Sequence, residues 1–198
     1  MKVIGLFGLN CSGKDTMADY LHRECNVPVF SIGDEVRKIA HSEDVAPTSE
    51  NLHEISQRYM FLSGGEFFTQ RIIQQVEERN VPLAVIIGIR SPADVKALKR
   101  QFGKDFLLVY VKVDDPIVRY SRSRKRDTER DPRSFGHFLR EEKEENELFH
   151  MKETGKFADI TVENKESLED FHKQIEKLII KPLINNFICK QYFKGGVK

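Results

Sequence analysis

Gly8-Leu9-Asn10-Cys11-Ser12-Gly13-Lys14-Asp15-Thr16 follows directly on a short apolar run, Val3, Ile4, Leu6 and Phe7. Read together, these residues predict a buried strand, a glycine-rich loop and a helix that starts near Lys14. Gly8, Gly13 and Lys14 have the G-x4-G-K spacing of a phosphate-binding P-loop. The residue types follow from the task. Glycines let backbone N–H groups turn inward around an anion, and the helix aims its positive end at the same point. Lys14 adds a mobile cation for the outer phosphates.

The common pattern places Ser or Thr after the lysine, where it holds magnesium. Here Asp15 stands in that place and Thr16 comes one residue later. Ser12 to Thr16, followed by Met17-Ala18-Asp19-Tyr20, resembles the loop of bacteriophage deoxynucleoside monophosphate kinases. Adenylate kinases likewise put a non-hydroxyl residue after the lysine and a Thr next. The resemblance implies ATP and Mg2+ as cofactors. Gly8, Asn10, Cys11, Ser12, Gly13, Lys14, Asp15 and Thr16 would hold the nucleotide, with Asp15 and Thr16 nearest the metal.

The 198 residues suit one α/β domain. Hydrophobic residues at 39% and charged residues at 32% describe an ordinary water-soluble chain, and a net charge of +1 argues against a general nucleic-acid or membrane-surface binder. Cys11, Cys25 and Cys189 form neither a metal nor a disulfide spacing, which points to a reducing cytoplasm. No apolar run nears the ~20 residues of a membrane helix. The first apolar segment, Val3 to Leu9, is too short for a signal and runs straight into the loop.

A first helix is expected over about Gly13 to Glu24, then a strand from Val27 to Phe30. Ser31-Ile32-Gly33 ends that strand, and Asp34 opens a helix from Glu35 to Ala40. Phe30 to Arg37 is similar to the adenylate-kinase segment Ser/Thr-x-Gly-Asp-x-x-Arg, which begins the acceptor region. The similarity assigns Ser31, Gly33, Asp34 and Arg37 to substrate. Gly33 would admit the acceptor to the backbone, and the Arg37 guanidinium can grip a phosphate with two parallel bonds. The plainer alternative is a capping Asp and a surface Arg. Residues 41–80 read as helices, Glu50 to Leu62 (with Ser49 as a cap) and Glu66 to Arg79, joined through Gly64-Gly65. With the preceding segment they form an acceptor-binding arm at about 31–80. Arg58 and Arg71 could contact substrate, but exposed helical arginines are the plainer reading, and His53 reads as a surface residue.

Val81 to Ile87 suits a central parallel strand. Its end, Ile87-Gly88-Ile89-Arg90, resembles the Asp-Gly-x-(Pro)-Arg strand end of nucleotide kinases, so Arg90 matches a second phosphate-binding arginine. The acidic residue expected there is Ile87. Ser91-Pro92 caps a helix through Arg100, Phe106 to Val113 is a strand, and Asp114-Asp115-Pro116 starts another helix. Seven basic residues then fall between Arg119 and Arg133, opposite Glu141, Glu142, Glu144, Glu145 and Glu147. A solvated basic face beside a solvated acidic helix is one account. The other is a lid, at about 119–150, whose arginines meet charge developing on a transferred phosphoryl group. Arg119, Arg122 and Arg126 resemble the R-x-x-R-x-x-x-R start of such a lid, with Arg130 and Arg140 as secondary candidates. The patch lacks the interleaved aromatics of a nucleic-acid surface.

Ala158 to Asn164 is the last strand, and Ser167 begins a helix to Ile180. This close resembles dephospho-coenzyme A kinases and an uncharacterised family similar to them, which makes Asn164 and Lys165 candidates for contact with the base. Residues 183–198 read as a tail whose Ile184, Phe187 and Ile188 could dock on the domain, a partner or a second copy.

The expected fold is a P-loop NTPase three-layer α/β/α sandwich over residues 1–182, with a five-stranded parallel sheet in the order 2-3-1-4-5 that the resemblance implies. The expected function is transfer of the ATP γ-phosphoryl group to a small phosphorylated acceptor, a nucleoside or deoxynucleoside monophosphate. Lys14, Arg37, Arg90, Arg122 and Arg126 would be the catalytic set, with Arg119 and Asn164 on the nucleotide. Two alternatives stay open. One is dephospho-coenzyme A as a hydroxyl acceptor, with Asp34 as base. The other, motivated by Ile87 and Asp15, is a nucleotide-binding regulatory module with weak catalysis.

Overall fold

A computed structural model describes residues 1–126 and 131–185. Five strands, β1 (Lys2–Phe7), β2 (Val29–Ser31), β3 (Leu83–Ile87), β4 (Phe106–Lys112) and β5 (Ile160–Glu163), form one sheet. All pairings are parallel, in the order β2-β3-β1-β4-β5. That is the order expected. Parallel strands covered on both faces need unbroken apolar runs, and Val3 to Phe7 and Leu83 to Ile86 are buried throughout. Register follows: Ile4 lies beside Val85 on one side and Leu107 on the other.

Helices cover both faces. On one face α1 (Lys14–Cys25) packs Met17, Ala18 and Leu21 against Ile4, Leu6 and Val85, joined by Phe171 and Ile175 of α9 (Leu168–Ile175). On the other, α2 (Ile32–Ser42), α3 (Ser49–Ser63), α4 (Phe67–Arg79) and α5 (Pro92–Phe102) bury Val36, Ile55, Ile72, Val95 and Leu98 against Val3, Ala84 and Leu108. Each such aliphatic side chain contributes about 1.5–3 kcal/mol relative to exposure. The remaining helices are α6 (Pro116–Arg126), α7 (Phe135–Phe149) and the short α8 (Met151–Thr154). The expected lid thus comprises α6 and α7, and Arg130 lies outside the described residues.

Several boundaries differ from expectation for local reasons. Helix α2 begins at Ile32 because the Ser31 hydroxyl accepts the Asp34 amide at 3.1 Å, so Asp34 sits inside the first turn and does not cap it. Thr48, not Ser49, caps α3 by accepting the Asn51 amide at 3.3 Å. Ser91 and Asp94 form a reciprocal capping box on α5, with Pro92 in the first turn. Beyond α9 the chain continues as a π-helical segment, Glu176–Asn185, that contains Pro182. Proline has no N–H for the regular ladder, which favours such a widened turn. Residues 186–198 of the expected tail, with Phe187 and Ile188, lie outside the described residues, as does the Ile184 side chain.

Candidate nucleotide and acceptor site

The loop after β1 is shaped by close approach. A Cβ on Gly8 would collide with the Val111 carbonyl and lie 2.7 Å from Ser12 Oγ. Cys11 and Gly13 adopt left-handed φ values of 59° and 104°, a turn pattern that gathers backbone N–H groups on the inner side. The Leu9 carbonyl accepts both the Ser12 amide at 3.1 Å and Lys14 Nζ at 2.9 Å. Gly13 stands at the N-cap of α1 with no side-chain cap. No side chain therefore competes for the first amides of α1, which leaves them for an anion. Burial pulls the Lys14 ammonium below its ordinary pKa, while neighbouring Asp15 and Glu145 act in the opposite direction.

The loop is braced from the far edge of the sheet. Asn164 Nδ2 donates to the Ser12 carbonyl at 2.8 Å. Arg122 donates to the Asn164 carbonyl at 2.8 Å and reaches the Ser12 carbonyl at 3.5 Å. Burial lowers the Arg122 pKa from its usual value. Both residues thus hold the loop's shape, and the Asn164 carboxamide is committed to backbone, not presented to a base.

Arg119 departs further from its expected role. It is 1% exposed and donates to the Val113 carbonyl at 2.5 Å, the Asp114 carbonyl at 3.0 Å and both carboxylate oxygens of Glu142 at 2.5 and 2.6 Å. Its guanidinium ties α7 to the end of β4 and faces no cleft. Ser12 is also fully buried, and its hydroxyl has no partner among the described residues. What Ser12 offers the loop is its backbone.

The other expected residues converge. Gly8, Asn10, Cys11, Lys14 and Asp15 face Ser31, Gly33, Arg37 and Arg90 across one cleft outside the carboxyl ends of β1, β2 and β3, with Arg126 at its edge. Such a crevice is where open α/β sheets bind ligands. Thr16, Arg122 and Asn164 line an adjoining groove that shares Cys11, Asp15 and Arg126. Asp34 lines neither, and its carboxylate takes Arg37 Nε at 3.1 Å. Arg58 pairs with Glu43, and Arg71 with Glu35 at 2.8 Å, as the surface reading expected.

Arg90 is held through both backbone and side chain. Its amide donates to Asp94 Oδ2 at 3.1 Å, its carbonyl accepts the Thr154 hydroxyl at 2.7 Å, and its guanidinium lies over the Phe149 ring. Arg90 Nε meets Glu145 Oε1 at 3.1 Å.

Glu145 was not anticipated. The run Glu141 to Glu147 reads as solvated, yet Glu145 is 2% exposed and its Oε2 accepts Asn10 Nδ2 at 2.6 Å. Glu141, Glu142 and Asp131 also line the cleft, as does His53, in contrast to its surface reading. Burial raises the Glu141 pKa, lowers that of His53 and raises that of the Cys11 thiol. The usable signal was register: Phe138, Glu145 and Phe149 fall seven and four residues apart, on one helical face.

Fold and loop together define a P-loop NTPase of the kinase-like type. The chain belongs to the family described as an AAA domain, whose model matches residues 7–134, and to the UPF0200 proteins. A UPF0200 protein of Pyrococcus horikoshii is 30% identical over 185 residues, 92% of this chain and 98% of that one. A UPF0200/UPF0201 protein of Archaeoglobus fulgidus is 34% identical over 184 residues, which are 91% of this chain but 56% of that longer protein. Among solved structures, shikimate kinase from Bacteroides thetaiotaomicron superposes with a TM-score of 0.56 at 16% identity, covering 89% of this chain and 96% of that one. At that identity the likeness is one of fold.

Proposed function

We propose that this protein is an ATP-dependent phosphotransferase acting on a small acceptor. The observation that carries the reading is the uncapped start of α1, which leaves first-turn amides beside Lys14 in the same cleft as Arg37 and Arg90. Loop amides and Lys14 would hold the β- and γ-phosphates, a charge-assisted arrangement. Ser31, Gly33 and Arg37 would seat the acceptor, and Arg126 at the cleft's edge would face charge developing on the transferred group.

The oxygen chemistry present also fits magnesium. Asp15 and Thr16 are both exposed at the start of α1. Among the described residues no group of three or more His, Cys, Asp or Glu is placed to hold a metal. Magnesium takes one or two protein oxygens and completes its shell with phosphates and water. When bound it would neutralise phosphate charge.

The sequence resemblance favours a nucleoside or deoxynucleoside monophosphate, or the hydroxyl of dephospho-coenzyme A. Transfer from labelled ATP to a panel containing both kinds of acceptor tests the reading. Labelled product from any of them supports a kinase. Ile87, an aliphatic residue where nucleotide kinases carry an acid, favours a second reading as a binding module. That reading expects nucleotide binding with no product.

A further inference from the structure

The cleft is unusually acidic for a site that would take two phosphorylated substrates. Asp15, Asp131, Glu141, Glu142 and Glu145 line it, against Lys14, Arg37, Arg90 and Arg126. Each of those arginines already meets a carboxylate: Arg37 meets Asp34, Arg90 meets Glu145 and Arg126 meets Asp131. Drawing Arg90 onto an acceptor phosphate would strip a buried carboxylate of its cation, which is costly. A hydroxyl acceptor asks for no such exchange.

Resting on the kinase reading, we propose that the acceptor reacts through a hydroxyl group and that Glu145 is the base that takes its proton. Glu145 Oε2 accepts Asn10 Nδ2, and its Oε1 is ion-paired with Arg90 Nε. A carboxylate has about four acceptor positions, so lone pairs remain for a substrate hydroxyl. Asn10 belongs to the phosphate loop and Arg90 to the acceptor wall, so the carboxylate is fixed at their junction. In the step, the acceptor oxygen forms a bond to Pγ while the Pγ–O bond to the β-phosphate breaks. The electron pair leaves with ADP, and the hydroxyl proton passes to Glu145 and then to water. Asp34, the base expected from sequence, is turned to Arg37 and lines no part of this cleft.

The test uses the full chain with labelled ATP and Mg2+. Acceptors are adenosine, cytidine and deoxynucleoside monophosphates in one set. Glycerol, gluconate, nucleosides and dephospho-coenzyme A form the other, and water serves as the simplest hydroxyl. The proposal expects phosphoryl transfer to hydroxyl oxygens, with no monophosphate converted to its diphosphate. Glu145→Gln should slow phosphate release from ATP by about 10²–10⁴-fold, the usual contribution of a general base, with ATP affinity by calorimetry changed less than threefold. Glu145→Asp, which keeps a carboxylate, should recover part of the rate. Lys14, Arg90, His53 and Glu141 are the charged or titratable groups that face Glu145, and all remain in both variants. Phosphorylation of a monophosphate on its phosphate group, giving a diphosphate, overturns the proposal, as does an undiminished Glu145→Gln rate, or tighter ATP binding with turnover kept. Failure of the wild-type chain to bind ATP at all instead overturns the kinase reading itself.

Discussion

Arg90 Nε and Glu145 Oε1 stand 3.1 Å apart, one just past the end of β3 and the other on α7, and this pair joins the sheet to α7. Glu145 is buried while a third of the Arg90 side chain is exposed. The pair is therefore asymmetric: losing the arginine leaves a buried charge, whereas losing the carboxylate leaves a cation that water can reach. We expect Arg90→Met to lower unfolding stability by about 1–3 kcal/mol and Glu145→Gln to cost less. The double variant should be more stable than the sum of the two, as measured by urea denaturation.

Glu35 gives a pH signature. Burial by itself would raise its pKa, but hydrogen bonds from Lys38, Gln75 and Arg71 outweigh burial and hold the carboxyl at about 2, against 4.5 for the free group. A folded-state value below the unfolded one adds stability that is complete above about 4.5 and disappears as pH falls towards 2. Linkage puts it at about 3 kcal/mol at pH 7. The wild type's advantage over Glu35→Gln should have that size at pH 7 in urea titrations and should vanish near pH 2. An advantage unchanged by acid would contradict the assignment.

Asn164 separates bracing from base recognition. If its carboxamide only holds the Ser12 carbonyl, Asn164→Ala should weaken ATP and GTP binding by the same factor and cost about 1–2 kcal/mol of stability. A change in the ATP-to-GTP preference would place the side chain on the base.

Ser12 offers a test of opposite sign. Its hydroxyl is buried without a partner among the described residues, and an unsatisfied polar group is unfavourable. Ser12→Ala should leave thermal stability unchanged or raise it, with nucleotide affinity unaffected. Marked destabilisation would reveal a bond that the geometry does not contain.

Much of this molecule was legible in its sequence because the deciding signals are local. An apolar run feeding Gly8 to Thr16 specifies strand, loop and helix, and strands such as Leu83 to Ile86 are long enough in apolar residues to be central. The strand order came through family resemblance. Resemblance puts Arg119 on the nucleotide and charge suggests solvent for Glu145, and only tertiary packing shows where each side chain lies. Arg119 is buried with its two terminal nitrogens bonded to Glu142 and to the Val113 and Asp114 carbonyls just past β4. Glu145 is buried because Asn10, 135 residues away in sequence, supplies a donor. His53 reached the cleft for a similar reason, since nothing within α3 marks which face meets Phe149.

The central claim is that the loop from Gly8 to Thr16 closes on the phosphates of a nucleotide, and titration calorimetry of the full chain with ATP and Mg2+ tests it most directly. Charge-assisted bonds are worth roughly 1.5–3 kcal/mol each. We predict saturable binding to the wild type and affinity at least tenfold weaker in Lys14→Ala. Equal affinity in the two proteins, or no heat of binding from the wild type at millimolar ATP, would contradict it.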